Sequence, residues 1–161
     1  MSDPDVVVRR ATRADGATLG RLGAMLMRTH YTYDPLRFLS PGDSPEEGYT
    51  WFLESQLAEA DVVVLVAERS GRVVGYVYAG IEPLSWKELR DEAGFIHDIA
   101  VDEVARRTGV AGQLLDAAIA WLRDRGMPRV VLWTAEPNAA AQQLFASHGF
   151  RRTMVEMTRE L

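Results

Sequence analysis

The sequence predicts a mixed α/β fold in three layers, and three observations carry that prediction. Apolar residues recur at helical spacing in several stretches, each giving one buried face. From Asp61 the pattern changes to short apolar runs punctuated by turn residues, as strands require. The strand–turn–strand signals come first and the strand–helix–strand signals last, so hairpins should precede crossover units.

Val6 to Val8, followed by Arg9 and Arg10, reads as the first strand. Thr12 with Asp15 three residues on marks a helix start, the carboxylate standing where a capping box has Glu. Leu19, Leu22, Met25 and Leu26 give that helix its apolar face. Thr29 to Asp43 holds Pro35, Pro41 and Gly42 and reads as a loop. Ser44-Pro45-Glu46-Glu47 opens a second helix with a cap, a proline in the first turn and acids at the positive end of the dipole. Val62 to Ala67 is a buried strand, Ser70-Gly71 its turn, and Val73 to Ile81 the returning strand. Pro83 to Glu92 is polar and expected to be half helical, and Gly94 to Val101 is another strand. Thr108 to Arg125 is a helix with Val110, Leu114, Leu115, Ala118 and Leu122 on one side, ended by Gly126. Arg129 to Thr134 reads as a strand, Asn138 to Ser147 as a helix stopped by Gly149, and Phe150 to Glu160 as a last strand. The order is β-α-α-β-β-β-α-β-α-β, without repeat or linker, so residues 1–161 are expected to form one domain.

Composition narrows the function. With 161 residues and 47% of them hydrophobic, the chain can bury a sizeable core. It has no cysteine, which excludes disulfides, Cys-ligated zinc, iron–sulfur clusters and a thiol nucleophile. His30, His97 and His148 stand apart, so no metal is expected. The net charge of −5 argues against nucleic acid as a partner. No apolar run reaches the roughly 20 residues of a membrane span, and Met1 to Asp5 lacks the basic and apolar regions of a signal peptide. A soluble, cytoplasmic protein is expected.

The stretch from Val101 to Leu115 is the most informative. A strand ends at Val101, a short loop with Arg106 and Arg107 follows, and a helix opens among Thr108, Gly109, Val110, Ala111 and Gly112. The first turn of a helix leaves its N–H groups unpaired and carries about half a positive charge. Small residues there let a phosphate reach the backbone, and the arginines add fixed charge. A pyrophosphate fits this pattern; so does a helix start that merely packs its small residues on a strand. The stretch is neither a Walker loop nor a dinucleotide-binding fingerprint, lacking Gly-Lys-Ser/Thr and the third glycine respectively.

Arg106-x-x-Gly109-x-Ala111 resembles the Q/R-x-x-G-x-G/A loop of the GNAT acyl-CoA N-acyltransferases, with Asp98-Ile99-Ala100-Val101 before it and Leu114-Leu115 after it. A second stretch similar to that family is Asn138-x-x-Ala141-x-x-Leu144-Phe145-x-x-x-Gly149-Phe150. The resemblance spans nearly the whole chain. It implies a mostly antiparallel central sheet with a splayed parallel strand pair, between whose strands the pantetheine arm of acetyl-CoA lies. It implies that the backbones of Ile99 and Val101, around Ala100, pair with the pantetheine amides, and that N–H groups from Arg107 to Gly112 wrap the pyrophosphate. Asn138, Ala141 and Phe145 would stand at the thiol end. The function implied is transfer of an acetyl group to a primary amine, small and cationic or peptidic, by direct attack in a ternary complex. A non-catalytic acyl-CoA-binding module of the same fold is the alternative, and a homodimer is an expected assembly.

The chemistry sets its own demands. An amine of pKa ~10.4 is neutral only about once in 2,500 at pH 7, a deficit of ~4.6 kcal/mol that a base or a desolvated pocket must offset. His97 and Asp98 lie mid-strand beside the expected thioester, and strand alternation predicts that only one faces the acceptor. Either is a candidate base; a structural hydrogen bond is the alternative for both. Phe145 departs from the tyrosine that many family members carry to protonate the leaving thiolate, and Tyr76 or Tyr78 could stand in unless they serve packing. Acceptor contacts are expected from Tyr31, Tyr33 and Trp86, among aromatic and acidic neighbours that include His30, Asp34, Phe38, Trp51, Glu82, Asp91 and Glu92.

Overall fold

A computed structural model describes residues 3–161; Met1 and Ser2, which begin the segment read for a leader, lie outside the described residues. Strand β1 (Val6–Arg10) leads through a short 3-10 turn into helix α1 (Gly16–Tyr33), followed by α2 (Pro45–Gln56). Strands β2 (Val62–Arg69), β3 (Arg72–Glu82) and β4 (Ala93–Val101) come next, then α3 (Val110–Asp124), β5 (Val130–Leu132) and α4 (Ala139–Ser147). The sheet runs in the order β1-β2-β3-β4-β5. Its first four strands are antiparallel and the β4–β5 pair is parallel, as the fold class requires.

Both faces of the sheet are covered, which explains the unbroken apolar run of β2. Val63 and Leu65 point to α3, against Leu114, Leu115 and Leu122. Val64 and Val66 point the other way, with Tyr76, against Leu19 and Leu22 of α1 and Leu53 of α2. The result is three layers. Helices α1 and α2 approach closely because Gly23 has no side chain: a Cβ there would overlap the Tyr49 ring. That gap lets Tyr49 reach through to the sheet.

Three elements differ from the sequence reading. Helix α1 continues past Thr29 to Tyr33, since Thr29 Oγ1 donates to the Met25 carbonyl (2.9 Å) and His30 Nδ1 bonds that of Leu26 (2.8 Å). Pro83 to Glu92 is not helical but closes a hairpin: Ser85 and Arg90 exchange backbone bonds of 2.8 and 3.1 Å. Pairing of β3 with β4 persists to Glu82 and Ala93, so the connection has only to turn, and Arg90 packs over the Phe95 ring at 4.8 Å. Phe150 to Glu160 is not a strand, and residues 151–161 are all exposed. A strand needs a neighbour for its backbone groups, and this chain places none beside that segment.

Asp15 is a buried charged residue, 8% exposed. Its carboxylate takes two bonds from Arg9 (2.8 and 3.0 Å) and one from the Thr12 N–H (2.8 Å), joining β1 to the start of α1. The Arg9 guanidinium holds the carboxyl below its ordinary range. That stabilisation is present above the ordinary Asp pKa and lost as pH falls through the depressed value. Asp15→Ala is expected to lower stability by about 1–3 kcal/mol in urea unfolding and to flatten its acid dependence.

Candidate active site

Strand β4 builds the site through an irregularity. Tyr78 pairs with Asp98 but Ala79 pairs with Ile96, so His97 is an extra residue, a β-bulge. The bulge breaks the alternation: Ile96, Ile99 and Val101 all belong to the α3 face, whereas Ala100 faces α1 and α2. His97 and Asp98 are therefore both turned to the α1–α2 side and line the same cavity. The expectation that only one could face the acceptor is corrected here; strict alternation holds only for an unbroken ladder.

The two side chains are held differently. Asp98 Oδ2 accepts from the hydroxyls of Tyr49 and Tyr76, each at 3.0 Å. Burial raises the carboxyl above its ordinary pKa, and the two tyrosines oppose that shift. His97 Nε2 lies 3.1 Å from Glu82 Oε1. Its ring sits 4.8 Å from that of Tyr78 and stacks 5.7 Å from that of Phe95. Tyr76 is fully buried on Asp98, and Tyr78 donates to Gln56 Oε1 at 3.1 Å. Tyr76 and Tyr78, open in the sequence to a stand-in acid or to packing, thus both have their hydroxyls engaged, and burial raises both pKa values.

Beyond Ile96 and Leu132, strands β4 and β5 no longer pair. The Asp102 N–H donates to the Val74 carbonyl (2.8 Å), so even-numbered backbone groups on this part of β4 point to β3. Those of Ile99 and Val101 consequently face the open side. Arg106 Nε uses one of them, the Val101 carbonyl, at 3.2 Å. The loop then turns through two left-handed residues, Arg107 (φ 62°) and Gly109 (φ 86°). Helix α3 begins at Val110, two residues after the expected start, and the Gln113 N–H is the first to reach back, to Gly109 (3.1 Å). The N–H groups of Val110, Ala111 and Gly112 precede that bond and remain free for an anion. The Thr108 hydroxyl is tied into the protein, donating to the Ala105 carbonyl and accepting from Arg69, both at 2.6 Å.

A cavity of about 280 Å³ lies where β4 and β5 part. It brings together His97, Asp98, Ile99, Asn138, Ala141 and Phe145, with His30 and Phe38 from the α1 side. Asn138 caps α4, its Oδ1 accepting from the Ala141 N–H at 3.2 Å, and Phe145 is buried beside Phe150. Tyr31 and Tyr33 do not line the cavity; Tyr33 packs edge-on against His30, ring to ring 5.7 Å. Trp86 lies in a second cleft of about 600 Å³ with Glu82 and Arg90, which shares only His97 and Trp133 with the first. The sequence reading missed Tyr49, Leu39, Leu132 and Trp133. Tyr49 could have been found from its place one turn before Leu53 on the inner side of α2, whereas the expected Trp51 points outward.

Residues 26–150 match the model of the Acetyltransferase (GNAT) family. This chain belongs to that family. The match covers the site, from the end of α1 to the turn after α4. The mycothiol acetyltransferase of Thermomonospora curvata is 32% identical over 121 residues, 71% of this chain. This chain spans 38% of that protein's length. A mutant of the BH1408 protein from Bacillus halodurans superposes with a TM-score of 0.81 at 21% identity, covering 96% of this chain and 99% of that one. The aminoglycoside N-acetyltransferase AAC(6')-Iy in complex with CoA gives 0.78 at 19%, covering 97% and 94%. At these identities the likeness is one of fold. The GNAT domain has, among its described residues, no group of His, Cys, Asp and Glu able to hold a metal ion, and no helix long and apolar enough to cross a membrane.

Proposed function

We propose that this GNAT domain acetylates a small cationic amine by direct attack on acetyl-CoA in a ternary complex. The observation that carries the reading is the His97 bulge, which turns a histidine and a carboxylate together into the cavity beside the open backbone of Ile99. Acetyl-CoA supplies an activated acyl group and a thiolate that leaves readily. The chain fits it at two places. The free N–H groups of Val110, Ala111 and Gly112, at a turn that Gly109 makes without strain, suit a pyrophosphate. The open backbone of Ile99 and the N–H of Val101, whose carbonyl is taken by Arg106, suit the amides of an extended arm.

The residues then divide the work. Asp98 and the aromatic rings of His30, Phe38 and Tyr49 receive the ammonium, by charge and by ring faces. His97 takes the amine proton, and Glu82 at 3.1 Å stabilises the imidazolium that forms. The Ile99 N–H donates to the carbonyl oxygen as it gains charge. Release of free CoA in the presence of an amine panel, aminoglycosides included, tests the reading. Turnover with a subset of amines supports it. CoA binding with no amine-dependent release would favour the non-catalytic module.

Phe145 offers no proton, and none is required: a thiol of pKa ~8.5 is a fair leaving group, whereas the amine starts ~4.6 kcal/mol uphill. Phe145→Tyr is expected to leave CoA affinity unchanged and kcat within a few-fold. A hundredfold gain in kcat would show that thiolate protonation limits the parent.

A further inference from the structure

We propose that Arg69 is a positioning residue for CoA: with Asp3 it braces Thr108, and through Thr108 it holds the left-handed turn that presents the N–H groups of Val110, Ala111 and Gly112. The inference rests on the reading of that turn as the pyrophosphate site. Gly109 makes the turn freely, but Arg107 has a side chain and sits at φ 62°, where L residues meet a steric cost. A residue stays in such a conformation only where its surroundings over-determine it. The loop itself supplies one restraint, the bond from the Thr108 hydroxyl to the Ala105 carbonyl (2.6 Å). The other comes from outside the loop.

Arg69 is the last residue of β2, paired with Val6 on one side and Arg72 on the other, so the sheet fixes its backbone. Its Nη2 donates to Thr108 Oγ1 (2.6 Å) and to the Asp3 carboxylate. Asp3 in turn grips helix α3: its N–H donates to Gln113 Oε1 and its carbonyl accepts from Gln113 Nε2, both at 3.1 Å. Gln113 is the residue whose own N–H closes the first turn of α3 on Gly109. Thr108 and Gln113 stand on either side of the free N–H groups, and both are tied to one pair anchored on the sheet. The guanidinium stays there at a cost, since its Nε is buried with no partner among the described residues. Asp3 answers its charge, which makes it a brace for the loop and not a ligand of the phosphate.

Calorimetry on the full chain tests this with CoA and two truncated ligands. Arg69→Met should weaken CoA about tenfold, the effect of one charged hydrogen bond. Dephospho-CoA, which keeps the pyrophosphate, should lose as much, and pantetheine, which has no phosphate, should bind variant and parent alike. Thr108→Val keeps the Arg69–Asp3 pair and should weaken CoA in the same pattern. The Arg69→Met/Thr108→Val double variant should lose no more than the worse single variant, because one restraint is removed twice. A loss confined to CoA would make Arg69 a direct contact of the 3'-phosphate and overturn the proposal. Equal losses for pantetheine, or additive losses in the double variant, overturn it too. Gly109→Glu separates the two readings: where it weakens CoA and Arg69→Met does not, the brace fails and the loop stands; where it binds CoA like the parent, both fail.

Discussion

His97→Ala is expected to lower kcat/KM for the preferred amine by roughly a hundredfold or more, the usual contribution of a positioned base, while CoA affinity stays unchanged. Asp98→Asn, by contrast, should raise KM for a cationic amine more than it lowers kcat, since it removes the charge that receives the ammonium. Burial makes Asp98 the more costly residue to keep ionised. The native chain holds a proton there that the unfolded chain releases, so stability falls as pH rises from the ordinary Asp pKa through the raised one. Asp98→Asn removes that dependence, and denaturant titrations across the acid range would show it. Tyr49→Phe deletes one of the two hydroxyls on Asp98 Oδ2 and should push the carboxyl higher still. If His97→Ala and Asp98→Asn both turn over like the parent, desolvation of the amine alone drives the reaction.

Gly109→Glu should weaken CoA binding at least tenfold, ~1.4 kcal/mol, measured by calorimetry on the folded variant. Two effects add. The residue stands at φ 86°, where any side chain is strained, and the new carboxylate would face the pyrophosphate at the start of α3. Gly109→Ala separates them, because it carries the strain without the charge and should lose less. Equal losses in the two variants would assign the effect to loop geometry. Unchanged affinity in Gly109→Glu would remove the CoA loop from the proposed function.

Much of this domain was legible along the chain. Helices α1 to α4 and strands β1 to β5 carry their own periodicity, and the start signals at Thr12 with Asp15, Ser44-Pro45 and Asn138 mark where helices begin, because those signals are local. The loop from Arg106 to Gly112 and the helix start behind it were legible for the same reason, being made of consecutive residues. What the tertiary structure decided is everything that depends on register or on a neighbour. The bulge at His97 arises from how β4 pairs with β3, and no alternation rule along β4 alone could place His97 and Asp98 on one side. Tyr49 reaches Asp98 across two elements, through the space left by Gly23 of a third. The segment after Phe150 has the residues of a strand and no strand beside it. Periodicity encodes which face of an element is apolar, but a strand exists only where another backbone completes its hydrogen bonds, and a site only where separate elements converge.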